Sequence, residues 1–233
     1  MTETNKMKRD YSLVGESTKR AIETGLASAE WYHSEVPRKA MKELMQRRDG
    51  PAIRDTVLWI VLILGSAAGA IYFWGTWWCV PFFFVYGVLY GSSCDSRWHE
   101  CGHGTAFRTR WMNDVIYEIA SFMVMRNPVV WRWSHARHHT DTYIVGRDAE
   151  IAVMRPPDLI RAALMFIGVV DVWYSLIGIG KNALGIISPD EKSYMPESEW
   201  PKAIRAARWH MAIYIATVAL ALYMRSWLPL MII

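Results

Sequence analysis

Between Thr56 and Cys94 the chain carries no Asp, Glu, Lys or Arg, a run of 39 residues. At ~1.5 Å per helical residue it would extend ~58 Å, close to twice a ~30 Å hydrocarbon core. A soluble core helix needs no such run. The expectation is therefore a helical hairpin that crosses a membrane twice, with spans near 55–74 and 77–94 and a short uncharged turn at Gly75-Thr76. The alternative is a buried hairpin in a large soluble protein. Trp59, Tyr72, Trp74, Trp77 and Trp78 argue against it. They fall near the expected interfaces, where amphipathic rings favour the headgroup level.

The hairpin organises the rest of the chain. Residues 1–54 read as a polar cytoplasmic lead-in with helix-forming stretches, ending at the breaker Asp49-Gly-Pro51. They do not begin with a basic cap and an apolar core, so a cleavable signal peptide is not expected. After the hairpin (55–94) comes a cytoplasmic region, 95–157, with an apolar helix expected over 112–126 and ended by Asn127-Pro128. Residues 158–206 are expected to form an interfacial helix followed by a polar loop. The interfacial assignment rests on Arg161, Asp171 and Lys181, which interrupt an apolar stretch. Residues 207–233 read as a third membrane helix and the start of a fourth. The fold class expected is all-α, integral to the membrane.

Charge sets the expected orientation. Of 26 Lys and Arg, eleven lie in residues 1–54, fourteen in 95–208 and one, Arg225, beyond. Both basic regions flank the hairpin on one side, which the positive-inside rule makes cytoplasmic. The net charge of +4 fits loops beside anionic headgroups. No RNA- or DNA-binding motif is present, so nucleic acid is not an expected partner. Cys79, Cys94 and Cys101 form no CxxC pair and are expected to stay reduced. Cys101 is expected to be a small packing side chain.

Five of the seven histidines fall between His99 and His139. In His99-Glu-Cys-Gly-His103 two of them stand at i and i+4. In His135-Ala-Arg-His138-His139 three stand at i, i+3 and i+4. On helices each set projects from one face. Buried imidazoles at this density are costly unless partnered, and neutral imidazole is a good ligand for iron, zinc or copper. The alternative is a set of ordinary surface histidines. The expected metal ligands are His99, His103, His135, His138 and His139.

The first set alone is also H-E-x-x-H, the zinc metalloprotease pattern, in which Glu100 would be the base and Glu118 a third ligand. Gly102 within the motif and three further histidines weigh against that reading, since a mononuclear zinc site needs one more protein ligand. A third possibility is a metal-binding membrane protein with no catalysis.

Together the stretches Asp95-Ser-Arg-Trp-His-Glu-Cys-Gly-His-Gly-Thr-Ala-Phe107 and Trp131-Arg-Trp-Ser-His-Ala-Arg-His-His-Thr-Asp-Thr142 resemble the membrane fatty acid desaturase and hydroxylase superfamily. Gly146-Arg-Asp-Ala-Glu-Ile151 resembles the segment that follows the second box in bacterial members. The resemblance implies an oxidoreductase of lipid metabolism with a dinuclear iron centre on the cytoplasmic face. It implies O2, a lipid acyl substrate and an electron donor of ferredoxin or cytochrome b5 type. The five histidines would be iron ligands, and no separate catalytic side chain is assigned. It also implies a third box, H-x-x-H-H, which the chain lacks. His210 is the single histidine after His139 and reads as an interfacial side chain. Five histidines fill about half of a two-iron site, so an N-terminal fragment or truncated product, inactive alone, is expected.

A ligating imidazole usually gives its other N–H to a carboxylate or carbonyl. Asp95, Glu100, Asp141 and Asp148 are candidates for that role, each against the alternative of a solvated or capping carboxylate. Trp98, Trp131 and Trp133 are candidates for an acyl channel or for interfacial anchoring. Asp171 could mark a polar pocket, and His33 has no role assigned.

Overall fold

The computed structural model describes residues 9–30, 32–151 and 154–233. Among them it is all-helical, with no strand. In chain order the helices are α1 (Glu16–Glu23), α2 (Arg38–Leu44), α3 (Asp49–Tyr72), α4 (Cys79–Tyr90), α5 (Ser92–Gly102) and α6 (Arg110–Met123). They continue with α7 (Pro128–Asp141), α8 (Leu159–Phe166), α9 (Val169–Ala183), α10 (Pro189–Tyr194), α11 (Trp200–Met224) and α12 (Leu228–Ile232). Two segments, within Arg38–Tyr72 and Glu197–Met224, are long and apolar enough to cross a membrane. α8 and α9 pass the same test together but meet at a bend of 80°. The all-α membrane fold expected from the sequence is the fold found.

The helices form two compact bodies, Glu35–Pro128 with Ala206–Ile233, and Met1–Ser34 with Val129–Arg205. The first is organised by the hairpin of α3 and α4. Trp59 is buried inside it, and its indole N–H donates to Leu89 O at 3.0 Å. Trp59 is therefore a packing residue, where the sequence suggested an interfacial one. Tyr72, Trp77 and Trp78 at the turn are exposed, as interfacial rings would be. The Phe73 and Phe82 rings stack at 5.5 Å, and Gly69 lets the Phe82 ring approach. A Cβ at Gly69 would lie 2.3 Å from Phe82 Cδ1. Gly69→Val is therefore expected to weaken the hairpin by about 1–3 kcal/mol, the usual cost of overpacking. Unfolding in a graded detergent–SDS series measures this, and adding Phe82→Ala should return part of the loss.

α4 has 12 residues, about 18 Å of helix, and ends at Gly91. The ladder resumes at once, because Asp95 N–H donates to Gly91 O at 3.0 Å. α5 thus extends the second limb of the hairpin beyond the apolar run, as the sequence implied. Its inner face, Cys94, Trp98 and Cys101, is buried. This is an i, i+4, i+7 stripe, and it packs on α6, whose own buried face includes Ile116, Tyr117 and Ala120. Cys101 is a packing side chain, and burial pushes its thiol up to about 11. The loop between α5 and α6 is closed by buried Asn113. Its amide donates to Phe107 O at 2.9 Å and accepts from Phe107 N–H at 3.0 Å. Asp49, at the start of α3, accepts from Thr109 N–H and O–H at 2.9 and 2.7 Å.

In the second body Ile187, Met195 and Ala203 form a small core, with Val129, Val130 and Trp200 against it. α10 falls in the stretch read from sequence as a polar loop. Ser188 and Glu191 form a capping box around it, with Pro189 in the first turn. Two reciprocal bonds satisfy the helix start. α8 begins on Asp158, whose carboxylate accepts from Arg161 N–H at 2.9 Å, and Gly168, at φ +78°, makes the bend into α9.

Candidate metal centre

The two histidine sets are placed by helix geometry. In the first body, α5 ends at Gly102 and His103 is its cap residue, with N–H bonded to His99 O at 3.1 Å. Gly104 (φ +66°) then turns the chain. The His99 and His103 side chains are exposed, and their Nε2 atoms lie 3.2 Å apart. In the second body, α7 carries His135, His138 and His139. Here the Nε2 atoms of His135 and His139 lie 3.1 Å apart.

These spacings test the fit of a metal. Two imidazole nitrogens each about 2.1 Å from one ion stand about 3.0 Å apart at a right angle and about 3.4 Å apart at the tetrahedral angle. Each pair falls within that range, so each is a chelate that a metal fits.

The α7 set is backed by carboxylates. His135 Nδ1 meets Glu150 Oε2 at 2.8 Å, and His138 Nδ1 meets Asp148 Oδ1 at 2.9 Å. An Nδ1–H given to a carboxylate fixes the tautomer and leaves the Nε2 lone pair for a metal. His135 is 4% exposed and lies flat on the buried Trp131 ring, centroids 4.3 Å apart. Both carboxylates come from the segment after α7, which doubles back at Gly146 (φ +83°). Asp148 is itself held there. It accepts from Tyr143 N–H and Glu150 N–H, both at 2.8 Å.

Of the four carboxylates named from sequence, only Asp148 reaches a histidine. Asp141 is buried but takes Arg147 Nε at 2.8 Å and Arg137 Nε at 3.4 Å. Asp95 and Glu100 are exposed, and among the described residues neither is hydrogen-bonded to a histidine. Glu150 was missed. Its signal was the turn-forming glycine four residues ahead of it, which brings the chain back along α7. Glu118 and His33 are exposed, Asp171 is half-buried, and Trp98 is buried while Trp133 is partly exposed. His210, read as interfacial, is 5% exposed and meets the Phe122 ring edge-on at 5.3 Å.

Apolar helices and helical histidine pairs at chelating distance define a membrane-embedded α-protein with a histidine set that could hold a metal. The chain belongs to the fatty acid desaturase family, whose profile matches residues 75–233. It is 33% identical over 75 residues to the omega-6 fatty acid desaturase, endoplasmic reticulum isozyme 1, of Glycine max, a match covering 31% of the chain and 19% of that protein. It is 26% identical over 101 residues to the sn-1 oleoyl-lipid 12-desaturase of Synechocystis, covering 43% and 28%. With the enzyme of the same name from Anabaena variabilis it is 24% identical over 136 residues, covering 58% and 38%. The matched stretches thus span less than two-fifths of each relative. No solved structure matches the chain. Family membership sets the metalloprotease alternative aside.

Proposed function

We propose that the protein serves O2-dependent desaturation of a lipid acyl chain, with His99, His103, His135, His138 and His139 as about half of the ligands of a two-iron centre. The observation that carries this is the pair of Nε2 chelates, at 3.2 and 3.1 Å, in a chain of the desaturase family. Iron, when bound, supplies the activation of O2 needed to attack an unactivated C–H bond. In balance, a –CH2–CH2– unit, O2, two electrons and two protons give –CH=CH– and two waters. The electrons come from a donor of ferredoxin or cytochrome b5 type.

The chain's own residues do the holding. Glu150 and Asp148 keep His135 and His138 in the tautomer that offers Nε2. The Trp131 ring covers one face of His135 and keeps water from it. The protein is multi-pass, and its histidine boxes lie on the cytoplasmic side, where the basic segments 1–54 and 95–208 belong by the positive-inside rule. The substrate class is a fatty acyl group on a membrane lipid, as the names of the bacterial relatives suggest.

Metal analysis of the purified protein and lipid analysis of cells expressing it test this. Iron is expected in the purified protein, with new double bonds in the acyl chains only when the histidines that complete the site and a ferredoxin system are supplied as well. One zinc per chain, retained when His135, His138 and His139 are all replaced by alanine, would overturn it.

A further inference from the structure

A cavity of about 870 Å³ lies within the second body, between α1 and the turn after α7. That is a size usual for small-molecule sites, roughly 300–1,000 Å³. One wall is the α1 face of Ser17, Arg20, Ala21 and Thr24, spaced i, i+3, i+4 and i+7 and therefore on one side of the helix. The facing wall is Thr140 with Thr142, Tyr143, Ile144 and Val145, beginning one residue after His139.

The two walls are fastened together. Thr18 O–H donates to Gly146 O. Gly146 lies so close to α1 that a Cβ there would come within 2.7 Å of Thr18 N. The cavity is thus bounded by a fixed backbone contact.

Its chemistry is two-sided. Arg9 and Arg20 both line it, against a single carboxylate, Glu30, among the described residues. Among the described residues neither guanidinium has a hydrogen-bond or ion-pair partner. Leu26, Ile144 and Val145 add apolar patches among the hydroxyl side chains of the lining. Two guanidiniums at one cavity, unpaired among the described residues, match the oxygens of a phosphate, which the planar fork binds in bidentate fashion. The apolar patches of Leu26, Ile144 and Val145 match a carbon body attached to it.

We propose that this cavity binds a phosphate ester with an apolar portion. Naming that ester the headgroup of the acyl substrate rests on the desaturase reading. The binding itself does not, because its test reads no turnover.

The test is isothermal titration of the purified full chain in detergent with three probes. They are inorganic phosphate, coenzyme A and dihexanoyl-phosphatidylglycerol. Saturable binding of at least one ester is expected, with inorganic phosphate competing weakly. Arg9→Gln and Arg20→Gln should each weaken it by at least about tenfold, as loss of a charge-assisted contact does. Arg110→Gln, an exposed charge on α6, should leave it unchanged. Preference for the phospholipid points to a membrane source and preference for coenzyme A to a soluble thioester. Circular dichroism of each variant confirms that α1 is intact, and Gly146→Ala, which forces the walls apart, should weaken binding as well. No saturable binding of any ester, or equal binding by the Arg9, Arg20 and Arg110 variants, overturns the proposal.

Discussion

The double variant His135→Ala/His139→Ala is expected to purify with less than about a tenth of the wild-type iron, at unchanged helicity. His99→Ala/His103→Ala should do the same. The size of the effect follows from a comparison. Losing a hydrogen-bond partner of a ligand typically costs 10–100-fold in metal affinity, and losing the ligands themselves costs more. Each pair presents two Nε2 atoms at chelating distance, 3.1 and 3.2 Å, so removing a pair removes a whole chelate. His33→Ala is the control, since His33 is exposed in the N-terminal region. Plasma mass spectrometry on protein purified in mild detergent reads the result. Retention of more than half the iron by either double variant would remove that pair from the ligand set. Buried His135 also packs on Trp131. His135→Gln, which keeps more of that volume, separates lost ligation from lost packing.

The histidine pairs were legible because an i, i+4 spacing on a helix is a statement about three-dimensional position. The uncharged run from Thr56 to Cys94 was equally direct, because few structures other than membrane helices need 39 such residues. What escaped the sequence depends on where the chain turns back. Glu150 is 15 residues from His135, and no helical periodicity relates them. Only the doubling of the chain at Gly146 does. Asn113, which closes the loop after the first histidine box by bonding both polar backbone groups of Phe107, looks from sequence like an ordinary helix-start residue. The capping box at Ser188 and Glu191 was readable from its S-x-x-E spacing, but the prolines around it read as a loop. Trp59 was misplaced for another reason. An indole has both an apolar body and a donor, so it suits an interface. Inside the hairpin it meets the same needs with Phe-like packing and a carbonyl, Leu89 O, as acceptor.

The carboxylates around α7 provide the sharpest contrast. Asp141 and Asp148 lie seven residues apart and are both buried, yet they should fail in opposite ways. Asp141 Oδ2 takes the Nε of both Arg147 and Arg137. Asp141→Asn leaves two guanidiniums facing a neutral amide. Breaking a buried pair by removing one partner costs about 3–5 kcal/mol. Both arginines keep some solvent access, so roughly 3 kcal/mol is expected. That corresponds to a fall of about 10 °C in the thermal midpoint, with iron per folded molecule unchanged. Tyr143 N–H and Glu150 N–H bond to different oxygens of Asp148, so the one carbonyl oxygen of Asp148→Asn keeps one of these bonds and the loss of the other costs about 1 kcal/mol, less than at Asp141. The substitution removes the carboxylate at 2.9 Å from His138 Nδ1, and the amide can offer its NH2 where an acceptor is needed. Iron affinity should then fall 10–100-fold, and Glu150→Gln should act on His135 in the same way. Scanning fluorimetry and competition with a chromophoric chelator read the two quantities separately. If Asp141→Asn lost iron at full stability while Asp148→Asn kept wild-type affinity, the assignment of these two carboxylates would be reversed. Asp141 would then have to act on the ligands through the Arg137 and Arg147 pair.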